Sequence, residues 1–227
     1  MQIRRPDEPI DGVIFDMDGT LIDSEAVVRQ CMARAIAPFG RELEDAFFHQ
    51  LIGLPIDRTR RMIADYCGEA FDEAAYVARM EAAVEDMTAD GIPLKAGAME
   101  IVHFLSAENV PLALATSSSR AAVDRHFARH GLLDHFNAIR TRDDVENGKP
   151  HPDLIFAAAE ALKLPPARCL VIEDSYNGVR AAHAAGAPVV MVPDMVLPSA
   201  EIEALCHWIA DHLGEVHGWL EDMRPCK

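Results

Sequence analysis

Five short apolar runs punctuate the chain, at 13–15, 112–115, 136–139, 169–172 and 188–192. Each is continuously hydrophobic, without polar alternation, which is the pattern of a strand buried on both faces. Between the later runs lie stretches with helical periodicity, at 97–108, 120–130, 153–162 and 177–185. Strands alternating with helices predict an α/β fold, a parallel sheet layered between helices.

The segment 24–91 breaks this alternation and shows no strand pattern. Val27, Val28, Cys31, Met32, Ala35, Ile36 and Phe39 follow the 3.6-residue period of one helix face, and Tyr76, Val77, Met80, Val84 and Met87 do so again. Two shorter helices are predicted at 43–52 and 58–66. An insert of this length exceeds what a crossover between parallel strands needs. The expected organisation is therefore an α/β core of 1–23 and 92–227, interrupted by a small helical domain at 24–91.

Composition narrows the partners. A formal net charge of −16 argues against nucleic acid and anionic membranes as partners, while leaving room for a small anion beside a local cation. The five cysteines are odd in number and show no CxxC spacing, so they are expected as reduced core residues, not a disulfide frame or a zinc site. Residues 1–11 contain no apolar leader stretch and no run approaches 18 apolar residues, so the expectation is a cytoplasmic, soluble protein, monomeric by default.

The candidate chemistry collects where the apolar runs end. Val13-Ile14-Phe15 runs into Asp16-Met17-Asp18-Gly19, and Cys169-Leu170-Val171-Ile172 into Glu173-Asp174-Ser175. Two buried strands ending in paired acids concentrate negative charge, which a divalent cation such as Mg²⁺ would offset. Leu112-Ala113-Leu114-Ala115 runs into Thr116-Ser117-Ser118-Ser119, hydroxyls placed before a helix where they and backbone N–H groups can cradle an oxyanion; an ordinary helix cap would have the same composition. Lys149, one of only four lysines, lies in the proline-restricted loop Gly148-Lys149-Pro150-His151-Pro152. In open parallel sheets ligands bind at the carboxyl ends of the strands, so these features converge on one edge. His126 and His130 have a helical i, i+4 zinc spacing but no third ligand, and are read as surface residues; Arg58, Arg60 and Arg61 are read as a solvated helix face.

In this order, Asp16-Met17-Asp18-Gly19-Thr20, Thr116, Lys149 and Glu173-Asp174 resemble the four motifs of the haloacid dehalogenase (HAD) superfamily, over nearly the whole chain. The helical insert, with Ile22-Asp23-Ser24-Glu25 before it and Asn177-Gly178 in the fourth motif, is similar to the beta-phosphoglucomutase-like phosphatase branch. The resemblance implies a Rossmann-like, three-layer core with an inserted α-helical cap, and a Mg²⁺-dependent phosphatase acting on a small phosphorylated metabolite, above all a sugar phosphate. Asp16 would be the nucleophile and a Mg²⁺ ligand. Asp18 would be the general acid/base and lend its backbone carbonyl to the metal. Thr116 would bind the transferring phosphoryl group, with Gly19, Ser117, Ser118 and Asn177 around it. Lys149 would orient Asp16, and Asp174 and Glu173 would complete the metal site.

Sugar phosphomutases with the same cap are the rival reading. They carry a histidine in the hinge helix and a Gly-x-x-Arg pattern in the cap, where this chain has Val28 and Gly53-Leu54-Pro55-Ile56. Motif one also continues Gly19-Thr20, as in phosphatases, and not Gly-Val. Dehalogenases lack the second motif-one aspartate, which is present here as Asp18, and phosphonate hydrolysis would need a cap lysine that 25–91 does not contain.

Overall fold

The computed structural model describes residues 6, 9–52, 54, 56–127 and 130–223. The chain divides into two compact units, Ser24–Ile92 and the remainder, Met1–Asp23 with Pro93–Lys227.

The larger unit is built on a six-stranded, all-parallel sheet in the order β3-β2-β1-β4-β5-β6, with β1 at Gly12–Phe15, β2 at Leu112–Ala115, β3 at Ala138–Arg140, β4 at Cys169–Glu173, β5 at Val189–Met191 and β6 at Trp208–Ile209. Every residue of β1, β2, β4 and β5 is buried, as continuous apolar runs require. Helices α5 (Ala98–Ala107), α6 (Arg120–Phe127), α7 (Asp153–Leu162), α8 (Tyr176–Ala184), α9 (Ala200–Leu205) and α10 (Leu213–Asp222) accompany it. One core cluster joins Ile14, Ala113 and Val171 of the sheet to Ile155, Ala158 and Ala159 of α7 and Val179 and Ala182 of α8. Alanine at these helix positions lets the helices lie close to the sheet.

Register places the chemistry. Phe15 of β1 stands beside Leu114 of β2 and Ile172 of β4, so the residues that follow these three strands emerge at the same edge.

Two details depart from the sequence expectations. The third strand starts at Ala138, not 136, because Phe136 turns out of the ladder to end a short helix and packs edge-on against Phe15, with ring centroids 6.1 Å apart. The sixth strand and the helices α9 and α10 carry no counterpart in the run pattern. Of the helical stretch expected at 120–130, α6 covers Arg120–Phe127, and 128 and 129 lie outside the described residues.

The smaller unit contains α1 (Ser24–Ile36), α2 (Asp45–Leu51), α3 (Ile56–Cys67) and α4 (Glu73–Thr88). Helix α1 buries Val27, Cys31, Met32, Ala35 and Ile36, with Cys31 Sγ 3.6 Å from Met87 Sδ of α4. Phe47 stacks on Tyr66 at 3.9 Å between centroids, and Phe71 bridges Phe39 and Tyr76. Of the rival mutase pattern, Gly53, Pro55 and the side chain of Ile56 lie outside the described residues. No helix among the described residues is long and apolar enough to cross a membrane.

Candidate active site

Asp16 directly follows β1, and its backbone N–H still donates to Ile172 O of β4 at 3.0 Å. The ladder thus holds the acid rigidly at the sheet edge. Its side chain is buried and one oxygen, Oδ1, accepts from Lys149 Nζ at 2.6 Å. The same ammonium donates to Glu173 Oε1 at 2.5 Å and to the carbonyl of Ala115 at 2.8 Å. All three of its protons are therefore used, by groups at the ends of three different strands. The Lys149 side chain is only 4% exposed, and that of Glu173 is fully buried.

The electrostatics follow from this burial. Desolvation raises the Asp16 pKa from 3.8 to about 7, with Glu173 and Asp18 adding repulsion and Lys149 opposing both. Burial pulls Lys149 down, but the carboxylates of Asp16 and Glu173 outweigh it and leave the ammonium above its ordinary value.

Carboxylate oxygens of Asp16, Glu173 and Asp174 lie within 4.8 Å of one another. Lys149 is bonded to two of these acids, Asp16 and Glu173, and hard carboxylate oxygens at this spacing suit Mg²⁺. The backbone around them is shaped to admit the acids. Gly19 has φ +78°, and a Cβ there would run into the carboxylate of Asp174. A Cβ on Gly178 would collide with the carboxylate of Glu173. Glu173 is further held by Ser175, whose hydroxyl donates to Oε2 at 3.0 Å and caps α8 by accepting from Gly178 N at 3.1 Å.

Asp18 is half-buried, and its carboxylate is not among the three clustered acids. Its Oδ2 accepts from the hydroxyl of Ser118 at 2.7 Å. Ser118 N in turn donates to Thr116 Oγ1 at 3.0 Å, and Thr116 is fully buried, which fixes the loop after β2. Ser117 and Asn177 are exposed in the loop after β2 and at the start of α8.

Two residues of this region were not singled out from sequence. Asp194, in the loop after β5, has a carboxylate oxygen within 4.8 Å of one of Asp174 and forms an ion pair with Lys95. Asp194 follows the apolar run 188–192 as Asp16 follows its own, so position at a strand end was the available signal. Neither His126 nor His130 belongs to a metal-competent cluster among the described residues, and burial lowers the pKa of His126.

The family described as haloacid dehalogenase-like hydrolase matches residues 13–192. The chain belongs to this family. It is 33% identical over 218 residues to a probable pseudouridine-5'-phosphatase of Drosophila melanogaster, covering 93% of this chain and 90% of that protein. It is 34% identical over 189 residues to the bifunctional riboflavin kinase/FMN phosphatase of Arabidopsis thaliana, a match of 81% of this chain that spans only 48% of that protein's length. Among solved structures, a HAD family hydrolase from Deinococcus radiodurans R1 with bound phosphate and sodium superposes with a TM-score of 0.81 at 30% identity, covering 96% of this chain and 97% of that one. Within the family the chain is a phosphatase.

Taken by itself, the helical unit contains a cavity of about 450 Å³ with a mainly apolar wall that includes Val28, Met32, Phe48, Leu51, Ile63 and Met80. Of the three arginines Arg58, Arg60 and Arg61 of this unit, Arg60 lines this cavity while Arg58 and Arg61 are exposed.

Proposed function

We propose that the protein is a Mg²⁺-dependent phosphatase that hydrolyses a small phosphorylated metabolite, a sugar phosphate above all, through an aspartyl phosphate on Asp16. The observation that carries this reading is the Lys149 ammonium bonded at once to Asp16, Glu173 and the Ala115 carbonyl. A lysine with no free proton and almost no exposure serves to hold acids in place. Cytoplasmic location and a monomeric state complete the reading.

The chemistry splits one displacement into two. An oxygen of the Asp16 carboxylate bonds to phosphorus while the bond from phosphorus to the ester oxygen breaks. Asp18, held by Ser118, gives its proton to that departing oxygen. Water then attacks the aspartyl phosphate at phosphorus, the bond to Asp16 breaks, and Asp18 takes the water proton. Inorganic phosphate leaves and the site is restored. Thr116, with Gly19, Ser117, Ser118 and Asn177, receives the phosphoryl oxygens, and Lys149 offsets the charge that would repel Asp16 from phosphorus. Mg²⁺, held by Asp16, Glu173 and Asp174 with the Asp18 carbonyl, supplies further positive charge against the phosphoryl oxygens.

Asp16→Asn tests the reading, because the amide is nearly isosteric but cannot form the aspartyl phosphate. Turnover of an aryl phosphate should vanish while the melting temperature is retained; turnover near that of the unmodified protein would refute it. Phosphorus NMR across sugar phosphates should show inorganic phosphate as the product. Migration of the phosphoryl group within the sugar would make the chain a mutase instead.

A further inference from the structure

Lys95 and Asp194 take no part in the scheme above, yet they sit beside it. Lys95 lies in the segment before α5, where its backbone N–H donates to Leu21 O at 2.9 Å, and its ammonium pairs with Oδ1 of Asp194. The two side chains are 24% and 12% exposed. The other oxygen of Asp194, Oδ2, is buried and has no hydrogen-bond partner among the described residues. It lies on the same glycine as the metal-candidate acid: a Cβ on Gly19 would stand 3.4 Å from Asp194 Oδ2 and would overlap Asp174 Oδ2. Gly19 therefore acts as the spacer that lets the two carboxylates face each other within 4.8 Å.

A buried carboxylate oxygen without a donor is unfavourable, and a second carboxylate close by makes it more so. Lys95 compensates one oxygen only. What the other requires is a hydrogen-bond donor located on the Asp174 side. A Mg²⁺ ion bound through a few carboxylates keeps several waters, and the protons of those waters need acceptors. Outer acceptors of this kind orient the inner coordination sphere.

We propose that Asp194, held by Lys95, is a positioning residue whose free oxygen accepts a hydrogen bond from a water of the divalent cation bound at Asp16, Glu173 and Asp174. The inference rests on the metal site of the proposed function. Lys95 sets the direction of the Asp194 carboxylate, and Gly19 sets its distance from Asp174.

Direct Mn²⁺ binding to the full-length protein, followed by electron paramagnetic resonance and by water-proton relaxation, tests this without turnover. Asp194→Ala should weaken Mn²⁺ binding about 10- to 100-fold, the range for outer-sphere partners of metal sites, and change the relaxation enhancement of the bound ion, while circular dichroism and metal-free melting stay as they were. Asp194→Asn, which keeps an acceptor, should restore part of the affinity. Lys95→Met should also weaken binding although it removes a positive charge, whereas a charge effect alone would strengthen it. Asp211→Ala, an exposed acid of the same unit, controls for net charge. Unchanged affinity and relaxation in Asp194→Ala, or tighter binding in Lys95→Met, would overturn the proposal while leaving the metal site intact. A loss in Asp194→Ala as large as in Asp174→Asn would make Asp194 a direct ligand and equally overturn it. Absence of Mn²⁺ binding in the unmodified protein would instead bring down the metal reading and this inference with it.

Discussion

Ser118 donates its hydroxyl proton to Asp18 across 2.7 Å, joining the loop that follows β2 to the loop that follows β1. Ser118 is itself fixed by the bond from its backbone N–H to Thr116 Oγ1. The buried threonine, the serine and the aspartate thus form a chain that aims one carboxyl group. In the proposed reaction that carboxyl must first give a proton and then take one, from a single place.

Removing the Ser118 hydroxyl should therefore slow turnover more than it weakens substrate binding. A hydrogen bond to a charged group is worth about 1.5–3 kcal/mol, roughly a 10- to 100-fold change. Ser118→Ala should lower kcat by that order with KM nearly constant. Ser119→Ala, at an exposed position of the same loop whose hydroxyl accepts from Ala122 N and not from any group of the site, should change kcat far less. Steady-state kinetics on an aryl phosphate separate the two, and equal effects at both positions would deny Ser118 this role.

Lys149 should matter to the fold as much as to the chemistry. Its replacement by methionine leaves Asp16 and Glu173 buried without their cation. Breaking a buried pair from one side costs about 3–5 kcal/mol, and each kcal/mol lowers melting by about 2–4 °C in domains of roughly 150–250 residues. Calorimetry should show Lys149→Met melting roughly 6–20 °C below the unmodified protein in EDTA. Excess Mg²⁺ should narrow the gap, because a divalent ion at the same acids replaces part of the lost charge. A melting point unchanged in EDTA would mean that the two acids are not ionised together there.

The parts of this arrangement differ in how visible they are from sequence. Val13–Phe15 and Cys169–Ile172 stand out because uninterrupted apolar residues running into paired acids are costly to bury unless a cation offsets the charge, and the register beside Phe15 then brings the strand ends together. Trp208–Ile209 is a strand of only two residues, paired to the sheet edge by tertiary contact, too short for any periodicity to reveal. Phe136 looks like strand by propensity but is drawn out of the ladder by its packing on Phe15. Lys95 and Asp194 are separated by 99 positions and flanked by no motif, so only folding makes them a pair. Gly178 reads as part of a helix start; its reason for being glycine, the carboxylate of Glu173 where a Cβ would sit, is a matter of three-dimensional proximity.

The raised Asp16 pKa gives metal binding a pH dependence with a definite sign. In the metal-free protein Asp16 titrates at about 7, against an ordinary value of 3.8. The folded state therefore binds this proton more tightly than the unfolded chain. The associated stability is fully present below the ordinary value and is lost as pH rises towards about 7, beyond which Asp16 is ionised in both states. A cation needs the ionised form, so below about 7 its binding must expel the proton, and above it there is nothing to expel. Fixed excess Mg²⁺ should accordingly raise the melting temperature more at pH 8 than at pH 5.5. Titration calorimetry of Mg²⁺ in two buffers of different ionisation enthalpy should report close to one proton released at pH 6 and almost none at pH 8.5. Asp16→Asn removes the titrating group, so in that variant the Mg²⁺-induced shift, reduced by the missing ligand, should lose most of its slope between pH 5.5 and 8. A shift in the unmodified protein that is the same at both pH values would show that Asp16 is already ionised when the cation arrives.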